Sequence, residues 1–214
     1  MDASFWLRKW AENDIAFHES QANPNLVKYF GDLGVRKGGR VFVPLCGKTL
    51  DIAWLLARGY RVAGAELSEV AIRQLFAGLG MEPRVTEVGK LKHFQGTGID
   101  IFVGDIFDLS SDVLGPVDAI YDRAALVALP GEMRQRYTAH TIDLTRNAPQ
   151  LLICYTYEES SMKGPPFSIS DQEVEQHYSK QFELRLVDTG PVSGGLKGNF
   201  EVTENVWLLK SKRA

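Results

Sequence analysis

The stretch from Gly38 to Ser68 constrains the chain more than any other. It reads Gly38-Gly39-Arg40-Val41-Phe42-Val43-Pro44-Leu45-Cys46-Gly47-Lys48, then a helical segment, then Arg61-Val62-Ala63-Gly64-Ala65-Glu66-Leu67-Ser68. Arg40 to Pro44 is short, β-branched and aromatic, and opens after a Gly-Gly turn, which is the pattern of a strand. From Ile52 the apolar residues recur at Leu55 and Leu56, and Gly59 provides a stop, so this segment has helical spacing. Arg61 to Ala65 is a second short apolar run. Two strands joined by a helix form a right-handed crossover in a parallel sheet. Ligands of such sheets bind beyond the carboxyl ends of the strands. Those ends carry Leu45-Cys46-Gly47 and Glu66.

Glu66 lies 19 residues after Gly47, about the interval at which an acidic side chain meets ribose hydroxyls. That interval suits a nicotinamide dinucleotide and an adenosyl group alike, and the turn separates them. A dinucleotide needs several glycines for its pyrophosphate, whereas Gly47 stands alone, with no Gly-x-Gly-x-x-Gly. Gly47-Lys48-Thr49 imitates only the end of a P-loop. S-adenosylmethionine has a ribose, no phosphate and a positive sulfonium, so a carbonyl-rich turn suits it better. A plain α/β turn with a surface glutamate is the bland alternative.

A chain of 214 residues is expected to form one domain over 1–214, long enough for a sizeable core. Its net charge of −3, without a basic run, argues against a nucleic-acid partner. No apolar run approaches a membrane span, and the N-terminus is charged and amphipathic rather than a signal peptide. Cys46 and Cys154 each sit in an apolar strand context, which points to a reduced, cytoplasmic protein rather than a disulfide framework. The four histidines, His18, His93, His140 and His177, show no metal-ligand spacing, and no metal is expected.

Along the chain, Ala3 to Asp14 reads as a helix with Trp6 and Trp10 on one face. Asn23-Pro24 opens a second helix that Gly34 ends; residues 1–35 form a helical cover. Ser68 caps a helix that runs to Gly80. Residues 84 to 103 read as β, and Gly104-Asp105-Ile106-Phe107 closes the third core strand. Val117 to Asp122 is the fourth strand and Gln150 to Tyr157 the fifth. Ser170-Asp171-Gln172-Glu173 reads as a capping box, and Phe182 to Val187 and Val202 to Leu209 as an antiparallel last pair. The expected fold is α/β, with a seven-stranded, mostly parallel, Rossmann-like sheet, helices on both faces and an antiparallel last strand.

The chain resembles the thiopurine S-methyltransferases, class I S-adenosylmethionine-dependent enzymes, and looks like a bacterial member. The residues that carry the resemblance run nearly end to end. They are Trp6 to Trp10, Ala16-Phe17-His18, Val43 to Lys48, Gly64 to Ser68, Asp122-Arg123-Ala124-Ala125-Leu126-Val127-Ala128 and Gly164-Pro165-Pro166-Phe167. The resemblance implies that S-adenosylmethionine, leaving as S-adenosylhomocysteine, is held at Trp10, Leu45, Glu66 and Arg123. Asp105 and Ile106 are expected at its adenine. Phe17, Pro166 and Phe167 are expected to line a flat apolar acceptor pocket, with Arg123 near the acceptor as the candidate transition-state contact. Asp122 beside it offers a local ion pair as the alternative. Some animal relatives carry an arginine in the loop before the last strand. Residues 189 to 200 here hold only Lys197, which leaves the preferred acceptor open.

The expected chemistry is direct in-line methyl transfer to an aromatic or heterocyclic thiol such as 6-mercaptopurine. A heteroaromatic thiol ionises readily, so no strong general base is required. His18 is a weak proton acceptor at best, and Cys46 has no partner that would make it a nucleophile. Methylation of selenium or tellurium species, halide or small thiols is the alternative within the enzyme class. A non-catalytic module binding adenosyl metabolites and a nicotinamide reductase are the alternatives outside it. A monomer acting on a small molecule meets every requirement of the sequence.

Overall fold

The computed structural model describes residues 3–15, 18–192 and 201–212. Its strands are β1 (Arg40–Pro44), β2 (Arg61–Glu66), β3 (Arg84–Val88), β4 (Leu91–Gly96), β5 (Ile99–Val103), β6 (Ala119–Arg123), β7 (Gln150–Thr156), β8 (Phe182–Pro191) and β9 (Thr203–Ser211). The helices are α1 (Ala3–Ala11), α2 (Pro24–Tyr29), α3 (Leu50–Ala57), α4 (Glu69–Gly78), α5 (Ser111–Leu114), α6 (Gly131–Leu144) and α7 (Asp171–Tyr178). One sheet has the order β3-β4-β5-β2-β1-β6-β7-β9-β8. The block β5-β2-β1-β6-β7 is parallel, and β9 joins β7 antiparallel with β8 outside it.

The sheet therefore has nine strands rather than the expected seven. The seven-stranded core is present, and β3 and β4 extend it as an antiparallel meander on β5. The difference arises because β3 is largely exposed and polar (Arg84, Thr86 and Glu87), so it joins through backbone pairing rather than through a buried face. The first helix also stops at Ala11, short of Asp14.

Alternation along the strands feeds two cores. In β1, Val41 and Val43 belong to the layer under α2, α3 and α4, with Leu26, Ile52, Leu55, Ile72 and Phe76. Phe42 between them points to the layer under α5, α6 and α7, with Leu114, Tyr137, Val174 and Tyr178. Helices thus cover both faces, and the ends of the parallel strands form the rim where α1 lies. Caps fix the entry of several helices. Asn23 accepts from the backbone of Asn25 and Leu26, Thr49 from Asp51 and Ser68 from Ala71. Ser170 caps α7 at Glu173, but the Glu173 side chain turns to Arg134 (2.6 Å) instead of completing a capping box.

Gly64 lies mid-strand in β2 where its neighbour Ile101 on β5 and Cys46 in the turn after β1 leave no space for a side chain. A Cβ there would stand 2.6 Å from Ile101 Cδ1 and 3.0 Å from Cys46 Sγ. Gly64→Ala is expected to cost about 1–3 kcal/mol through overpacking, read as a lower urea midpoint at unchanged slope.

Candidate active site

The sheet order reverses between β1 and β6, the position at which open α/β sheets bind ligands beyond their strand ends. Both strands end there in strained backbone. Leu45, directly after β1, has φ +46°, and Ala124, directly after β6, has φ +65°. Neither is glycine, and left-handed non-glycine residues persist only where the surroundings hold them. The turn after β1 is held by the Cys46 amide, which donates to the Ala65 carbonyl (3.0 Å). The turn after β6 is held by the Leu126 amide, which donates to Asp122 Oδ1 (3.2 Å).

Glu66 closes β2 and is 6% exposed. Its Oε2 accepts from the Gly47 amide and its Oε1 from the Ser68 amide, each at 2.8 Å. Burial raises its pKa, and the amides of Ser68, Gly47 and Leu67 oppose that shift. Acceptor capacity on the carboxylate remains beyond these bonds. Gly47 has φ +50°, and a Cβ there would lie 2.8 Å from Trp10 Cζ2. The buried Trp10 ring therefore rests on the turn where a side chain would otherwise project. Trp6, on the same helix, is half-buried and packs edge-on against Phe5 (5.2 Å between centroids).

Arg123 closes β6, and its side chain is 9% exposed. Its Nη2 donates to Glu19 Oε1. Its Nε is buried with no hydrogen-bond partner among the described residues. Asp122 is not its partner. Strand alternation turns Asp122 to the other face, where Oδ2 accepts from Tyr137 Oη (2.6 Å), and burial pushes its carboxyl up to about 6. Sequence reasoning missed Glu19, whose only signal was its place directly after the Ala16-Phe17-His18 motif.

Gly164-Pro165-Pro166-Phe167 folds back onto the loop after β6. The Phe167 amide donates to the Val127 carbonyl (2.6 Å), and Tyr157 Oη donates to the Pro166 carbonyl (2.7 Å). Pro166 and Phe167 are half-buried, and the Phe167 ring lies under the Arg134 guanidinium (5.7 Å to the centroid). Asp105 is exposed, and its Oδ1 caps Phe107, which is the ordinary turn role of Gly-Asp. Ile106 is buried and its carbonyl accepts from His140 Nε2 (2.8 Å). Phe17 lies outside the described residues.

His18 is shifted down by burial and by Lys48 and Arg123, so it is neutral at pH 7. Burial, with Glu66 beside it, drives Cys46 well above the usual thiol range. His93 stacks on Phe102 and meets Asp100 Oδ1 (3.0 Å), and His177 meets Glu173 (3.2 Å). Among the described residues no group of three His, Cys, Asp or Glu is arranged to hold a metal ion. A polar groove of about 940 Å³ between α6 and α7 contains none of the strand-end residues.

The family model described as thiopurine S-methyltransferase matches residues 1–212. A thiopurine S-methyltransferase of Xanthobacter autotrophicus is 54% identical over 211 residues, 98% of this chain and 99% of the relative. One of Teredinibacter turnerae is 47% identical over 209 residues, 98% of this chain and 97% of the relative. In structure, the chain is similar to 1,6-didemethyltoxoflavin-N1-methyltransferase of Burkholderia thailandensis, solved with S-adenosylhomocysteine. That likeness has a TM-score of 0.66 at 16% identity and covers 98% of this chain and 87% of the other, which establishes the shared fold. With the family model matching residues 1–212 and relatives at 47–54% identity over nearly the whole length, the chain belongs to the thiopurine S-methyltransferase family.

Proposed function

We propose that the protein transfers the methyl group of S-adenosylmethionine to the sulfur of aromatic or heterocyclic thiols such as thiopurines. The observation that carries this reading is the convergence of Trp10, Leu45, Glu66 and Arg123 on the ends of three adjacent strands, β2, β1 and β6, at the point where the sheet order reverses. When bound, the cofactor supplies a methyl group already activated by its sulfonium.

The residues fit that group. Glu66 keeps acceptor capacity for a ribose hydroxyl beyond the amides it already engages. Arg123 keeps a buried, unpartnered Nε suited to a carboxylate or a polarised acceptor. Trp10 covers the turn and excludes water from it. The Leu45 carbonyl is the proposed contact for an amino group, and Ile106 with Asp105 the proposed wall for the adenine. Pro166, Phe167 and Phe17 are the proposed acceptor contacts, with Arg123 beside the reacting sulfur. Among the described residues His18 is shifted down rather than up, and an ionised heteroaromatic thiol needs no strong base. The chain's contributions are alignment and exclusion of water.

Two buried free cysteines support a reduced, cytoplasmic enzyme. Among the described residues no helix is long and apolar enough to cross a membrane. We infer a monomer acting on a small molecule, with residues 1–35 as the cover of a single domain 1–214.

Mass spectrometry of 6-mercaptopurine with S-adenosylmethionine and the protein should give methylthiopurine. Arg123→Ala should lower that yield by about a hundredfold, since a desolvated charge contact is lost. Cofactor binding without any methylated thiol would refute the reaction while leaving the cofactor site intact. Glu66→Ala should weaken cofactor binding about tenfold or more by calorimetry. Acidification should have a related effect. Protonation converts one acceptor oxygen of Glu66 into a donor, and burial places that event above the ordinary glutamate range. Affinity should therefore fall as pH is lowered through the raised value. Glu66→Gln should flatten the dependence, and a dependence unchanged in that variant would remove Glu66 from the site.

A further inference from the structure

Arg123 holds its charge where little water reaches it, and a cation so placed needs a countercharge. The carboxylate that provides it, Glu19, comes from the segment between α1 and α2, 104 residues away in sequence. Glu19 is 38% exposed against 9% for Arg123, so it reaches in from the solvent side. Two other carboxylates lie close enough to interact electrostatically with the pair. Glu204 on β9 feels both Arg123 and Glu19, and Asp51 on α3 contributes to both.

Those two carboxylates are committed elsewhere. Glu204 accepts from Asn25 Nδ2 (2.5 Å). Asp51 accepts from Tyr121 Oη (2.9 Å), the Asn23 amide (2.7 Å) and Thr49 Oγ1 (3.0 Å). Of the three, Glu19 is the one bonded to the guanidinium, which the proposed reaction gives to the acceptor. With three carboxylates around one guanidinium, a further anion is disfavoured unless one of them leaves.

We propose that Glu19 is a specificity-determining, positioning residue: its carboxylate occupies Arg123 while the acceptor site is empty and is exchanged for the ionised sulfur of the acceptor. The inference rests on the reading of Arg123 as an acceptor contact. An ionised thiol exchanges one anion on Arg123 for another, whereas a neutral thiol leaves the pair intact. Glu19 thereby holds back small anions that bring no apolar surface of their own to the site, and it sets how strongly the enzyme prefers ionised over neutral acceptors.

The test is calorimetric titration of the full-length, donor-free protein with 4-nitrothiophenol, ionised at neutral pH, and with phenylmethanethiol, neutral there. Glu19→Gln should bind the ionised thiol about tenfold tighter and the neutral thiol within about twofold of wild type. In Glu19→Gln/Arg123→Gln the discrimination should vanish, because the coupling partner is gone. Equal shifts for both thiols would be the mark of a residue that only pins its segment, and would overturn the proposal. Unchanged affinity for both, or no binding of either, would overturn it as well. Turnover separates this inference from the reaction beneath it. If wild type forms neither methylthioether with S-adenosylmethionine, the proposed function fails; if it forms both while the titrations show no charge discrimination, only the Glu19 exchange fails.

Discussion

The rim of this sheet depends on a buried carboxylate. Glu66 sits where burial opposes its charge, and it is kept by two amides that belong to different turns. Gly47 lies in the turn after β1, and Ser68 is the N-cap of α4. Bonds to a charged acceptor contribute about 1.5–3 kcal/mol each, so one side chain fixes the spacing of two loops. Trp10 then rests on the fixed turn, and its contact requires that Gly47 have no side chain. The position of α1 over the rim follows from the position of Glu66.

The same rim stores backbone strain. Leu45 and Ala124 hold left-handed φ values at the ends of the two strands that flank the reversal of sheet order. Such residues cost on the order of 1–3 kcal/mol each. They are tolerated because neighbouring hydrogen bonds over-determine the turns: Cys46 to Ala65 on one side, and Leu126 and Tyr137 to Asp122 on the other. Asp122 and Arg123 divide the work of β6. The acid anchors the turn from inside the core, and the base faces the rim. Strand alternation makes that division possible, so adjacency in sequence separates the two groups in space.

Much of this was legible in the chain because its signals are local. Strand and helix periods marked the parallel core, and the interval from Gly47 to Glu66 located the end of β2. Ser68 and Asn23-Pro24 announced their helices. What escaped notice depends on pairing across distance. β3 joins the sheet by backbone bonds along a polar edge, so no buried face set it apart from one arm of a surface hairpin. α5 spans four residues, too few for a period to show. Asp122-Arg123 suggested an ion pair by adjacency, and the real partner, Glu19, lies on another element. Sequence pattern could have signalled only that an arginine at a buried strand end requires an anion from elsewhere.

The environment of the rim also keeps its own thiol and imidazole unreactive. A methyl donor threatens any nucleophile of the protein that faces it, and Cys46 lies in the turn proposed to hold the donor. Burial and the Glu66 charge keep that thiol protonated, and the thiolate is the reactive form. His18 is held neutral by burial and by the cations Lys48 and Arg123, so it neither adds charge nor serves as a strong base. Glu66 is engaged by amides and Asp122 faces the core. The strongest uncommitted nucleophile that can reach this rim is then one that arrives from solution. A site of this kind lets the ionisation of the acceptor, rather than a side chain, supply the electron pair. That is the form of catalysis suited to sulfur bound to an electron-poor ring.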